Sequence, residues 1–468
     1  MKNTFLYKSF KFYGGVFLGC LTCFSCREWI ELPPSIDKIP TEIVFTDSTS
    51  AITALAGVYA NFGYYGGGSS SINGALISLY PALSSDELLA SSTGIDVKQF
   101  EENSLRPNNF LVSTLWRTGY EGIYRINACI KGITESKGLN EGLKERLIAE
   151  VKVARALYYF NLVNLYGGVP LVTTTDYSIS AKQPRANVDE IYTQIIGDLT
   201  DARKILKETY PSAGRARPNL YVATALMARV YLYQKNWTAA EAMAREVINA
   251  KTYSLQMDLS KVFLSASTEA IWQLPTAGTS SGQTSEASTF VPFSKGVIPS
   301  YYLTPTLLSA FEADDKRKAS WIKVDTIKAN IYHYPFKYKN IDANNSPRED
   351  YILFRLPEQY LILAEALVMQ KRQDEALPYI EAIRSRAGLS AVHPTTEDEF
   401  LKVIMQERRV EFFCEQGSRW FDLKRTGTAD AVLGPLKPTR WTADDALYPV
   451  ALSELTANGA LEQNPGYE

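Results

Sequence analysis

The stretch IMQERRVEFFCEQGSRWFDLKRTG, Ile404 to Gly427, carries more charge than a plain core helix tolerates and sets the reading of the whole chain. Phe400, Val403, Glu407, Val410 and Cys414 fall on one side at three- and four-residue spacing, which predicts a helix over 396–416. On it Glu407, Glu411 and Glu415 form a row one turn apart, and such a row needs cations against it. Arg408, Arg409, Arg419, Lys424 and Arg425 lie in the same segment, so the reading is a structural ion network built on Glu407, Arg408, Glu411 and Arg419. Gly417 is read as ending the helix, with Trp420, Phe421 and Leu423 docking the next turn on the core.

Carboxylates one helical turn apart sit roughly 5–6 Å from each other at Cβ, near the separation in a retaining glycosidase. A general acid must have its pKa raised, whereas neighbouring arginines lower it, so a catalytic pair is rejected and no catalytic residue is assigned. ERRVEFFCEQGSRWFDLKRTG resembles the C-terminal signature of the SusD/RagB family, surface lipoproteins that capture nutrients for a TonB-dependent transporter. Four further blocks resemble family blocks in the family's order: Ala149–Val172, Ala223–Ile248, Glu358–Leu389 and Ala446–Tyr467.

Lys+Arg 49 against Asp+Glu 51, a net charge of −2, gives no basic surface for nucleic acid. Aromatic residues make up 12% of the chain, with Tyr 28 and Trp 7, and tyrosine suits both helix packing and partly polar ligands. Lys2, Lys8 and Lys11 precede an apolar run from Phe12 to Leu21 that is too short to span a bilayer and reads as an export signal, residues 1–25. Cys26, preceded by Ser25 and followed by a sequence like the start of mature family members, is the expected lipid anchor, with Cys20 the alternative. Cys129 and Cys414 then remain, as two buried thiols or as a disulfide. His333 and His393 stand far apart with no paired cysteines, so neither a metal nor a cofactor is expected.

Residues 26–46, with Pro33, Pro34 and Pro40, read as an extended tether. A helical part over 47–252 follows. Ile52, Leu55, Tyr59 and Phe62 mark its first helix, Leu115 to Ile130 the second and Leu143 to Leu165 the third, closed by Gly167 and Gly168. Asn187 and Glu190 have capping-box spacing. Ala228, Gln234, Lys235 and Ala240 recur as Ala364, Gln370, Lys371 and Ala376, an offset of 136 residues, 364 minus 228, which is four tetratricopeptide periods of about 34. The fold class is read as mostly α, with tetratricopeptide-like helix pairs, and the resemblance implies that they form a right-handed, SusD-like scaffold.

Between residues 253 and 350 the helical rhythm gives way to strand-like pieces, Ala270–Leu274 and Ile331–Tyr338, around Ser/Thr/Gly-rich loops. Tyr332, Tyr334, Phe336 and Tyr338 share one strand face and are read as packing on the helices. The expected ligand contacts are the loop aromatics Tyr64, Tyr65, Tyr301, Tyr302 and Trp321. Residues 351–468 return to paired helices within the same globular unit. The resemblance implies a non-catalytic lipoprotein on the outer face of the outer membrane that binds a nutrient, in the first place a glycan, and passes it to a SusC-like TonB-dependent transporter. Peptide capture and a helical-repeat envelope scaffold without a small ligand are the competing readings.

Overall fold

Asparagine opens much of the scaffold. The computed structural model describes residues 44–63, 71–276, 282–342 and 347–467, and Cys20, Cys26, Tyr64, Tyr65 and the tether up to residue 43 lie outside them. Helices of two turns or more, in chain order, are α1 (Ser48–Gly63), α2 (Ile77–Ser84), α3 (Ile95–Glu102), α4 (Phe110–Glu135), α5 (Glu141–Tyr166) and α6 (Val188–Ile205). They continue with α7 (Leu220–Tyr233), α8 (Trp237–Asn249), α9 (Leu356–Met369), α10 (Gln373–Arg386), α11 (Glu397–Glu411), α12 (Ser418–Arg425) and α13 (Ala429–Leu436). Asn109, Asn140, Asn187, Asn219 and Asn236 precede α4 to α8, and each side chain accepts from a backbone N–H of the first turn. Each such cap is worth about 1 kcal/mol relative to alanine. At α6 Glu190 answers Asn187 to complete the capping box.

Each helix from α4 to α10 packs on the one before it. Small residues set the closest crossing, since a Cβ added at Gly122 of α4 would lie 2.2 Å from the Tyr158 ring of α5. Arg155 of α5 then joins three helices, donating to Asp198 of α6 at 2.7 and 2.8 Å and to Asn127 of α4 at 2.9 Å. The internal repeat is structural. Ala228, Ala240, Ala364 and Ala376 share one buried cluster, and Lys235 and Lys371 hold the same left-handed turn, at φ 57° and 63°. Arg229 ties α7 to α9 by a bidentate pair with Glu358 at 2.6 and 2.8 Å.

Six short strands complete the fold: β1 (Leu88–Ala90), β2 (Ala270–Leu274), β3 (Tyr301–Leu303), β4 (Ile322–Ile327), β5 (Asn330–Pro335) and β6 (Tyr351–Arg355). They pair antiparallel as β1 with β3, β2 with β6 and β4 with β5. The chain from β2 to β6 is an excursion between α8 and α9, and its β2–β6 ladder is buried, with Trp272 stacked on Phe354 at 5.9 Å. Past α13 the tail is pinned to α5, where Tyr448 N–H donates to Leu165 and Asn464 to the Tyr166 carbonyl. Cys129 and Cys414 are buried free thiols.

The charged helix departs from its sequence reading in two ways. First, α11 stops at Glu411, and Cys414, Gln416 and Gly417 all take left-handed backbone, so Gly417 leads into α12 instead of closing α11. The reason is a pair of buried cations: Lys337 donates to the carbonyls of Glu411 and Phe413 at 2.9 Å each, and Arg355 to that of Glu411 at 2.7 Å. Cations on the last carbonyls satisfy groups that a longer helix would otherwise bond internally.

Second, the glutamate row draws its cations from elsewhere in the chain. Glu407 accepts from Arg317 and Arg384, Glu411 from Arg317, Arg355 and Arg386, and Glu415 from Lys337 and Arg355. Successive helical residues diverge by about 100°, so Arg408 and Arg409 cannot face the row. Arg408 pairs with Asp422, Arg409 and Arg419 with Asp86, and Arg425 with Glu365 and Asp422.

Candidate ligand-binding face

β1 and β3 form a three-rung ladder, Leu88 opposite Leu303, Leu89 opposite Tyr302 and Ala90 opposite Tyr301. Bonds beyond both ends hold it: Ser91 N–H to Ser300 at 2.9 Å, and Thr304 N–H to Glu87 at 3.0 Å. Alternation along a strand then separates two adjacent tyrosines. Tyr301 shares the inward face with Leu303 and packs against the core, where burial raises its phenol pKa. Tyr302 takes the opposite face with Leu89, and both are half-buried.

The β4–β5 hairpin supplies the second half. Its two central residues, Lys328 and Ala329, have φ of 48° and 68°, the backbone of a tight two-residue turn. That turn sets Tyr332 opposite Asp325, and its ring meets the Tyr302 ring edge-to-face at 5.5 Å and 84°. Asp325 accepts from the Tyr334 hydroxyl at 2.8 Å, which fixes a carboxylate beside the pair. Val324 and Ile331, on the opposite face of the hairpin from Tyr332, are 49% and 64% exposed. Isolated exposed apolar residues are ordinary, so the half-buried aromatic pair is what marks this face as a candidate. Flat apolar ring faces beside a fixed acceptor match a ligand with apolar faces and hydroxyl edges.

Of the residues expected from sequence, the structure brings Tyr301 and Tyr302 to this ladder, with only Tyr302 on its outer side. Tyr64 and Tyr65 lie outside the described residues. Trp321 is not a ligand contact. It is fully buried, donates from Nε1 to the Leu259 carbonyl at 2.9 Å, and lies 5.1 Å from the Lys337 ammonium. Its indole therefore lines the ion network, where a ring face contacts cations. Tyr332 was missed, because the pattern over 332–338 reads as one face on the helices. Tyr334 and Tyr338 are buried as that pattern requires, whereas Tyr332 and Phe336 are only half-buried. The nearness of Tyr332 to the hairpin turn was the available signal.

Among the described residues no group of His, Cys, Asp and Glu side chains is placed to hold a metal ion, and no helix is long and apolar enough to cross a membrane.

Two family descriptions match this chain: "SusD family" over residues 312–467, and "Starch-binding associating with outer membrane" over residues 39–232. The SusD-like protein P25 of Formosa agariphila is 26% identical, covering 95% of this chain and 97% of its own. A SusD superfamily protein of Bacteroides vulgatus shares the fold with a TM-score of 0.79 at 21% identity, over 90% of this chain and 100% of that one. A laminarin-binding SusD-like protein matches with a TM-score of 0.74 at 25% identity, again over 90% and 100%. With the helical scaffold, the two matched segments and these full-length likenesses in agreement, the chain belongs to the SusD/RagB family.

Proposed function

We propose that the protein is a non-catalytic, lipid-anchored outer-membrane component that captures a neutral glycan on the β1–β3 and β4–β5 face and delivers it to a SusC-like TonB-dependent transporter. The observation that carries the reading is the Tyr302–Tyr332 pair, half-buried and held edge-to-face beside Asp325. A pyranose offers an apolar ring face and equatorial hydroxyls, which fit an aromatic face and a neighbouring acceptor. The matched starch-binding family and the laminarin-binding relative support a glycan over a peptide.

Affinity electrophoresis against a panel of polysaccharides, scored for retention and for cleavage products, tests it. The expected result is retention by at least one neutral glycan without cleavage. Tyr302→Ala with Tyr332→Ala should lower that affinity about 10- to 100-fold, the range for losing aromatic anchors worth roughly 1–3 kcal/mol. Cleavage of the glycan, or unchanged retention in the double variant, overturns the reading.

A further inference from the structure

A second site lies on the helical side of the molecule and shares no lining residue with the tyrosine face. Where the end of α7, the start of α8, α9, α11, α12 and α13 meet, they leave a cavity of about 560 Å³, a volume that suits a small ligand. One wall is apolar and soft: Leu232, Trp237, Met369, Leu401 and Met405. Exposed Asp398, Lys402, Thr426 and Thr428 mark the mouth. Methionines and a tryptophan on facing helices make a wall that adapts to an unbranched or aromatic body.

The other end of the cavity is cationic. Arg409 and Arg419 both line it, and both bond to the single carboxylate of Asp86, Arg419 at 2.7 and 3.1 Å and Arg409 at 2.5 Å. Two guanidinium groups on one carboxylate leave one positive charge in surplus. The remaining arginine of the lining, Arg425, is matched by Glu365 and Asp422. Glu87, next to Asp86, does not supply the missing charge at neutral pH, because burial and then Asp86 raise its carboxyl to about 8. Arg409 is the less satisfied of the pair: its Nε finds no acceptor among the described residues, and burial pushes its pKa below the ordinary value despite Asp86. A cation left short of counter-charge beside a pocket favours an anion entering it.

We infer that this cavity binds a small amphipathic monocarboxylate, its carboxylate on Arg409 and Arg419 and its apolar body along Trp237, Met369, Leu401 and Met405. The site is separate from glycan capture, so the chain would carry two ligands of different chemistry on two sides.

Decanoate, kept below its micellar range, is the probe, and isothermal titration calorimetry on the intact protein is the measurement. The expected result is saturable one-site binding, with decanamide, the uncharged counterpart, at least tenfold weaker. Leu401→Trp from α11 and Val432→Phe from α13 fill the cavity from different helices without touching an ion pair, and each should weaken decanoate at least tenfold at unchanged glycan retention. Arg409→Met, which leaves Asp86 its bidentate Arg419, should do the same. Absence of saturable decanoate binding, equal affinity for decanamide, or undiminished binding in both filled variants would each overturn the assignment.

Discussion

Two clusters drawn from the excursion between α8 and α9 differ in how their side chains are satisfied. Around Glu411, the cations Arg317, Lys337, Arg355, Arg384 and Arg386 meet the carboxylates Glu269, Asp315, Glu407, Glu411 and Glu415, all buried or nearly so, and the half-exposed Glu312 also pairs with Arg384. Around Tyr302 the two paired rings are only half-buried. Charge density alone would have put function at the first cluster. Its complete pairing argues the reverse, since charges matched by fixed protein partners leave nothing for a ligand, whereas half-covered rings do.

The largest expected effect breaks the first cluster. Glu411 is fully buried, and although burial alone would raise its carboxyl pKa, Arg386, Arg355 and Arg317 outweigh that and hold it well below the ordinary range. Glu411→Ala removes one carboxylate from those three guanidinium groups, which keep Glu269, Glu415, Asp315 and Glu407 among them, and losing one partner of a buried ion pair costs up to about 3–5 kcal/mol. Arg419→Ala, which leaves the buried Asp86 with Arg409 alone, should act in the same direction. Thermal denaturation is expected to show markedly lowered melting for both, with unchanged glycan affinity in the folded fraction. Full stability with abolished binding would assign the binding role to the network.

That contrast was half legible in the sequence. The helical scaffold could be read because its signals are local: asparagine caps, three- and four-residue apolar spacing, and a repeated Gln-Lys turn. The need for counter-charges along Glu407, Glu411 and Glu415 was legible too. Their source was not, because Arg317, Arg355 and Arg386 stand 25 to 94 positions from Glu411 and only the fold brings them together. Trp321 failed for the same reason. A tryptophan in a loop-rich stretch looks available until buried lysine and arginine side chains are found against its ring. Tyr302 could be named as a candidate from its turn-rich surroundings, whereas Tyr332 needed the hairpin register that turns it toward Tyr302.

A smaller effect separates carboxylates that are paired from those that are only buried. Glu411 is held ionised, so its contribution is present above its unfolded pKa and is lost as the pH falls through its depressed folded value. Glu87 and Glu286 run the other way. Burial, with Asp86 adding repulsion at Glu87, raises them from an ordinary value near 4.5 to about 8 and about 7. In that window the folded state holds protons that the unfolded chain has released, so stability falls as the pH rises from about 4.5 to 8. Glu87→Gln and Glu286→Gln together imitate the protonated forms and should flatten this limb, read as the urea midpoint at pH 5 and pH 8. An unchanged slope would show that neither glutamate is held protonated by the fold.

The smallest expected effect is a near absence, and it sharpens the division between charged core and aromatic face. The proposed glycan capture at Tyr302 and Tyr332 relies on ring faces, and Lys98, which donates to Ala90 of β1, is matched by Glu101 at 2.9 Å. Raising salt from about 0.1 to 1 M shortens the screening length from about 10 to about 3 Å, which weakens exposed charge–charge attraction and leaves apolar contact and short hydrogen bonds largely intact. The dissociation constant for a neutral glycan should therefore shift by less than about twofold across that range, measured by titration calorimetry. An acidic polymer attracted by surface lysines would weaken progressively over the same range. A tenfold loss for the captured glycan would show that ions carry the contact, and would move the binding site off the tyrosine pair.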